Sequence, residues 1–154
     1  MLDTLDRKIL KALQTDGRMT ITELSDQVNL SKTPCAERIR RLEREGYIKG
    51  YRGVLDPEAL GFSTLVFVQV ILERTTTHVL DRFNAAVRTI PEVEAAHMIA
   101  GGFDYLLKVR ARDMAHYRQL LGDRIGALPG VSQTHSYPVM ETVTENPGVS
   151  PVLF

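Results

Sequence analysis

Lys32, Arg38, Arg40, Arg41 and Arg44 crowd one short stretch, interleaved with the apolar residues Cys35, Ile39 and Leu42. At about 100° per residue the three apolar side chains share one helical stripe. Thr33, Glu37, Arg40, Arg41 and Arg44 then point away from it, with Lys32 and Arg38 on the flanks. A guanidinium fork matches the paired acceptors of a guanine edge or a phosphate, and a helix fits the major groove of duplex DNA. Ser31 and Lys32, at the head of the run, are placed to reach phosphate. A basic helix can equally be a solvated surface in which Glu37, Glu43 and Glu45 pair with the arginines. The flanking elements decide between the two.

A second segment carries a different chemistry. Gly101-Gly102-Phe103-Asp104 offers glycine amides that can hold a carboxylate and a carboxylate that can take an ammonium. Together they suit a zwitterionic amino acid, with Met98 and Met114 as adaptable apolar neighbours. A plain hairpin turn would use the same glycines, so both readings stand. His78, His97, His116 and His135 lack cysteine or carboxylate partners at ligand spacing, and no metal site is expected. No nucleophile elbow or phosphate loop is present, and no catalytic residue is assigned. Cys35 lies on the apolar stripe and is expected to fill core rather than react.

The elements around the basic stretch are those of a helix-turn-helix. Leu2, Leu5, Ile9 and Leu13 follow helical spacing with Leu10 beside them, Asp3 can cap the start, and Asp16-Gly17 ends the helix. Thr20 and Glu23 form a capping box for a short helix with Leu24 and Val28 inward, and Asn29 suits a left-handed end. Ser31 caps the third helix, with Pro34 in its first turn. After it, 47–49 and 51–55 are expected to pair as a small wing hinged on Gly50, from which Lys49 and Arg52 touch phosphate.

Residues 53–62, with Asp56-Pro57 and Gly61, read as a linker. Beyond them a weak repeat with an offset of 38 aligns Ile90-Pro91-Glu92-Val93 with Leu128-Pro129-Gly130-Val131 and His97 with His135. Each copy runs strand, helix, strand: 65–72 or 105–111, then Val79, Phe83 and Val87 or Tyr117, Leu121 and Ile125, then 93–100 or 131–139. Two such halves predict an α+β, ferredoxin-like βαββαβ domain over 63–145, after the DNA-binding unit at 1–52 and before a tail at 146–154. In 66–72 both alternating sets are largely apolar. Helices cover only one face, so a second copy of the chain is expected to cover the other.

Composition agrees. The chain of 154 residues has zero formal net charge, yet residues 1–52 hold 11 Lys/Arg against 8 Asp/Glu and the remainder reverses that balance. The longest apolar run, 65–72, is too short to span a membrane. No secretory signal is read at the N-terminus, and a single cysteine suits a reducing cytoplasm.

The layout resembles the Lrp/AsnC (feast/famine) family. The resemblance runs from Leu5-Asp6 to about Glu145. It is carried by Leu30-Ser31-Lys32-Thr33-Pro34-Cys35, Arg38-Ile39-Arg40-Arg41-Leu42-Glu43, Gly46-Tyr47-Ile48, Gly102-Phe103-Asp104-Tyr105 and Tyr137-Pro138-Val139-Met140-Glu141. It implies a winged helix-turn-helix that binds double-stranded DNA, dimers built by a RAM-type C-terminal domain, octamers assembled from them, and an amino acid bound where dimers meet. Met98, Asp104, Met114, Tyr137, Pro138 and Val139 match the family's effector-response positions, and 101–104 matches the loop against the ligand. Pro138 stands where leucine-responsive members have a β-branched residue. The run 97–110 is similar to the proline-utilisation activators, so leucine, proline or another amino acid is the expected effector, with no other cofactor. The rival expectations are a DNA-wrapping architectural protein without an effector, and a small ferredoxin-like enzyme.

Overall fold

The computed structural model describes residues 1–146 and 148–150. Two compact units divide it: Met1–Val54 with the segment from Thr144 onward, and Leu55–Val143. Of the C-terminal tail, residues 147 and 151–154 lie outside the described residues.

The first unit has three helices: α1 (Thr4–Thr15), α2 (Ile21–Val28) and α3 (Lys32–Arg44). Asp3 caps α1 reciprocally with Asp6, and Thr20 caps α2 reciprocally with Glu23, so orphan amides are satisfied at both starts. Asn29 ends α2 at φ 57°, ψ 50°, the left-handed turn that redirects the chain into α3. Ser31 occupies the cap position of α3, but its hydroxyl makes no capping hydrogen bond; its carbonyl accepts the Cys35 amide at 3.2 Å. At the other end Gly46 (φ +77°) allows the Tyr47 amide to reach the Leu42 carbonyl and its own amide to reach that of Glu43. This closure is a Schellman motif.

Ile9, Ala12, Leu24, Val28, Cys35, Ile39 and Leu42 form the core of this unit, with Leu2, Leu10, Leu13, Met19, Leu30 and Ile48 at its edge. Burial pushes the Cys35 thiol pKa up, as core filler requires. The expected wing strands are absent: 47–55 holds a bend at Tyr47 and then irregular chain without strand pairing. A hinge of one glycine, Gly50, is too short for a two-residue hairpin loop, and an isolated strand pair is marginal in water. The Tyr51 hydroxyl instead donates to Glu43 Oε1 at 3.0 Å, and its ring lies near Gly17. Burial and the Glu43 carboxylate raise the Tyr51 phenol to about 12, so the bond persists at neutral pH.

The second unit is a four-stranded antiparallel sheet in the order β2-β3-β1-β4. In chain order it runs β1 (Thr64–Leu72), α4 (Thr77–Val87), β2 (Val93–Met98), β3 (Tyr105–Ala111), α5 (Met114–Leu120) and β4 (Val131–Pro138). Val66, Val68, Val70 and Leu72 alternate with Phe67, Gln69 and Ile71, and the first set is buried with Tyr105, Leu107, Val109 and Ala111. Phe83 and Val87 of α4 and Tyr117 and Leu120 of α5 cover that face. After α5 a wider π-type turn at Leu121–Ile125 closes with the Gly126 amide on the Leu121 carbonyl. It adds a residue to the turn, and Leu120 is buried whereas Leu121 is only partly so. The repeat becomes visible as a row across the sheet, His97–Leu106–Gln69–His135, with one histidine on each edge strand.

Candidate functional site

α3 separates its cations into two classes. Lys32, Thr33, Glu37, Arg40 and Arg44 are exposed, as are Ser31 before the helix and Lys49 and Arg52 after it. Arg41, expected to project outward with Arg40, and Arg38, expected on the flank of the stripe, are both paired with carboxylates of α1 and its cap. Arg38 Nη1 donates to Asp3 Oδ2 at 2.6 Å and to Asp6 Oδ1 at 2.8 Å. Arg41 Nη2 lies 2.5 Å from Asp6 Oδ2. Asp6 is fully buried, and its Oδ2 also accepts the Asp3 amide at 3.1 Å. An ionised carboxylate survives such burial only when opposite charge and hydrogen bonds surround it. Arg38 and Arg41 therefore meet a requirement of the core of the helical unit.

The physical reason is where the first turn of α1 meets α3. The apolar stripe of α3 faces inward, and residues 38 and 41 stand on the border of that stripe, where α1 presents its first turn. Sequence reasoning placed Asp3 at a cap and passed over Asp6. The available signal was the Asp-x-x-Asp spacing at a helix start, which puts two carboxylates on one turn opposite an arginine-rich helix.

The Asp6 amide, donating at 2.8 Å, and the Arg38 guanidinium hold the Asp3 carboxyl down at about 2, from an ordinary 3.8. A depressed carboxylate adds stability above its unfolded pKa that disappears as pH falls through the folded one. The chemical-denaturation midpoint of the helical unit is thus expected to drop between about pH 4 and pH 2, and Asp3→Asn to flatten part of that drop. Glu23, lowered by the Thr20 amide and hydroxyl, contributes the same sign. Identical acid profiles for wild type and Asp3→Asn would refute the assignment.

The second set of residues lies in the sheet unit. Met98, at the end of β2, pairs with Tyr105, and the chain 99–104 turns there. The Ile99 amide donates to the Asp104 carbonyl at 2.8 Å, the Asp104 amide to Val70 at 2.9 Å, and the Leu72 amide to Asp104 Oδ2 at 2.7 Å. One oxygen of Asp104 thus ties its turn to β1. Gly101 and Gly102 are exposed, neither has positive φ, and a Cβ at either would have room. The turn itself does not demand glycine.

Met114, Tyr137, Pro138 and Val139 are elsewhere. The Met98 row crosses the sheet as Met98–Tyr105–Val70–Thr134, whereas Pro138 belongs to the row Val93–Val109–Val66–Pro138. Four residues of strand separate the rows, about 13 Å. Met114 follows β3 at that far end, and the Val139 amide donates to the Leu65 carbonyl there. Tyr137 is half exposed, its hydroxyl donating to Gln69 Oε1 at 3.2 Å on the face that the helices leave open. The structure brings 98–104 together and sets 114 and 137–139 apart from them.

A family model described as the Lrp/AsnC ligand binding domain matches residues 65–149, and one described as winged helix-turn-helix DNA-binding matches residues 2–49. The chain belongs to the Lrp/AsnC family. This Lrp/AsnC member is 54% identical over 144 residues to a proline dehydrogenase transcriptional activator of Rhizobium radiobacter, covering 94% of the chain and 92% of the relative. It is 50% identical over 145 residues to a leucine-responsive regulatory protein of Escherichia coli K12, covering 94% and 88%. Among solved structures it matches an AsnC family transcriptional regulator from Agrobacterium tumefaciens with TM-score 0.93, 32% identity and 99% of both chains covered. A transcriptional regulator from Neisseria meningitidis in complex with L-Met matches with TM-score 0.92 and 33% identity, over 97% of this chain and 96% of that one. The Lrp/AsnC member is accordingly a DNA-binding transcription regulator with a ligand-binding domain. No helix among the described residues is long and apolar enough to cross a membrane.

Proposed function

We propose that this Lrp/AsnC regulator binds specific DNA sequences through α3, controls amino-acid metabolism, and changes its assembly or its DNA affinity when an amino acid binds. The supporting observation is the outer side of α3: Lys32, Thr33, Glu37, Arg40 and Arg44 stand exposed on a helix entered through the left-handed Asn29 turn. In this reading Arg40 and Arg44 meet base edges and phosphates, Thr33 and Glu37 contribute base contacts, and Ser31, Lys32, Lys49 and Arg52 hold the DNA backbone. The protein acts in the cytoplasm and has no catalytic role.

The effector is a free amino acid. Gly101 and Gly102 leave room for close approach of its carboxylate, Asp104 Oδ1 takes the ammonium, and Met98 and Phe103 line the side chain. Met114, Tyr137, Pro138 and Val139, at the other end of the sheet, close the site from a second copy. The separation of the two sets supports this arrangement, because one small ligand cannot span about 13 Å of strand. The dimer itself forms over the open face that carries Phe67, Ile71 and Leu106, and dimers join into a larger ring, an octamer. Proline, leucine and methionine are the effectors to test first, given the names of the relatives.

Reciprocity provides the test. If an amino acid shifts DNA affinity by some factor, between about 5- and 150-fold, then DNA must shift amino-acid affinity by the same factor. A thermal-shift screen of the amino acids would find the ligand, and calorimetric titration with and without bound duplex would compare the constants. Equal constants would end the coupling proposal, and a flat screen would favour an architectural DNA-wrapping protein.

A further inference from the structure

We propose that Asp6 is a positioning residue for the DNA-reading helix, and that Arg38 and Arg41 serve it as anchors instead of contacting DNA. The inference rests on the DNA-reading role of α3 and refines it. Asp6 comes from α1 and is fully buried, yet both of its oxygens face α3: Oδ1 takes Arg38 at 2.8 Å and Oδ2 meets Arg41 at 2.5 Å. Residues 38 and 41 are one turn apart on α3. A carboxylate gripping both sets the rotation of that helix about its axis, and the rotation decides which way Arg40 and Arg44 point. Apolar packing through Cys35, Ile39 and Leu42 tolerates small rotations, whereas the hydrogen bond from Arg38 and the close ion pair with Arg41 narrow them.

The same contacts commit both charges to Asp3 and Asp6, with the side chains 26% (Arg38) and 35% (Arg41) exposed. Arg41 Nε and Nη2 are enclosed by protein without a well-formed hydrogen bond, so a phosphate cannot reach them without unseating the helix. Arg38 divides one nitrogen between Asp3 and Asp6. Of the arginines on α3, Arg40 and Arg44 are the ones left for the groove.

Two readouts on the full-length chain decide the matter. The first needs no DNA: amide hydrogen exchange should rise about tenfold or more through α3 in Asp6→Asn, with β1 and β3 unchanged as the internal control. The second uses a duplex enriched by the wild-type protein from a random pool, with the unenriched pool as the non-specific probe. Arg41→Gln should lose about tenfold in preference for the enriched duplex while its salt slope stays that of wild type. A phosphate-contacting arginine would instead weaken both probes alike and lower the slope by about one. Unchanged exchange in Asp6→Asn, or a lowered slope in a binding-competent Arg41→Gln, overturns the proposal. If Asp6→Asn unfolds the helical unit, Arg41→Gln still decides by its slope, because Asp6 keeps Arg38. Failure of the wild type to bind any duplex would overturn the DNA-reading role beneath it, a different result from either.

Discussion

Alanine at both Arg40 and Arg44 is expected to weaken binding to an enriched duplex on the order of 100-fold, and to lower the salt slope by about two. Both guanidiniums are exposed on the outer side of α3, and neither forms an ion pair among the described residues. Each is free to trade condensed counterions for a phosphate or to fork onto a guanine. A bidentate arginine contact is worth about 1–3 kcal/mol of discrimination, so two of them supply about 2–6 kcal/mol, a range that spans the roughly 2.8 kcal/mol of a 100-fold loss. Fold and assembly should survive, since neither residue touches the core formed by Ile9, Leu24 and Leu42. Anisotropy titrations at several salt concentrations, paired with size-exclusion chromatography, provide the check. Undiminished affinity with an unchanged slope would remove α3 as the reading element.

The second large effect falls on the sheet unit. Phe83 is fully buried beneath β1 and β3, its ring 4.2 Å from that of Tyr105 at 34°. The Tyr105 hydroxyl donates to Asn84 Oδ1 at 2.8 Å, so α4 and β3 are joined by a ring pair and a hydrogen bond at adjacent positions. Phe83→Ala removes the ring and leaves a cavity in the middle of the core. Such truncations cost about 3–5 kcal/mol, against a total stability of roughly 5–15 kcal/mol for a domain. The sheet unit should therefore unfold at much lower urea concentration or fail to fold at all. The chain lacks tryptophan, so tyrosine emission, to which Tyr105 and Tyr117 contribute, reports the transition. A midpoint within about 1 kcal/mol of wild type would mean that the helices collapse into the space and that the pair is not central to the core.

These two substitutions separate the parts of the molecule. The first removes the proposed contacts to DNA and leaves the scaffold; the second removes the scaffold on which the proposed effector residues at both ends of the sheet depend. Asp6 belongs with neither. It lies inside the helical unit and acts on the reading face only through Arg38 and Arg41.

Local physics was legible in the sequence. Hydrogen bonding within three or four residues produced the capping box at Thr20 and Glu23 and the left-handed Asn29, and each depends on neighbours along the chain. Periodicity placed the buried stripe of α3 and the alternating strand β1, because side-chain direction follows from backbone geometry alone. The repeat with an offset of 38 foretold the sheet unit, since two similar segments fold to similar halves. Three matters were settled only by tertiary structure. Which arginines of α3 are paired with carboxylates was decided by the approach of α1, a contact 32 residues away in the chain. The strand pair expected after α3 is irregular chain in which Tyr51 bonds to Glu43, a contact that no local pattern announces. The residues expected to form one ligand site lie at opposite ends of the sheet because antiparallel pairing, which no local pattern encodes, sends β2 and β4 in directions that part them.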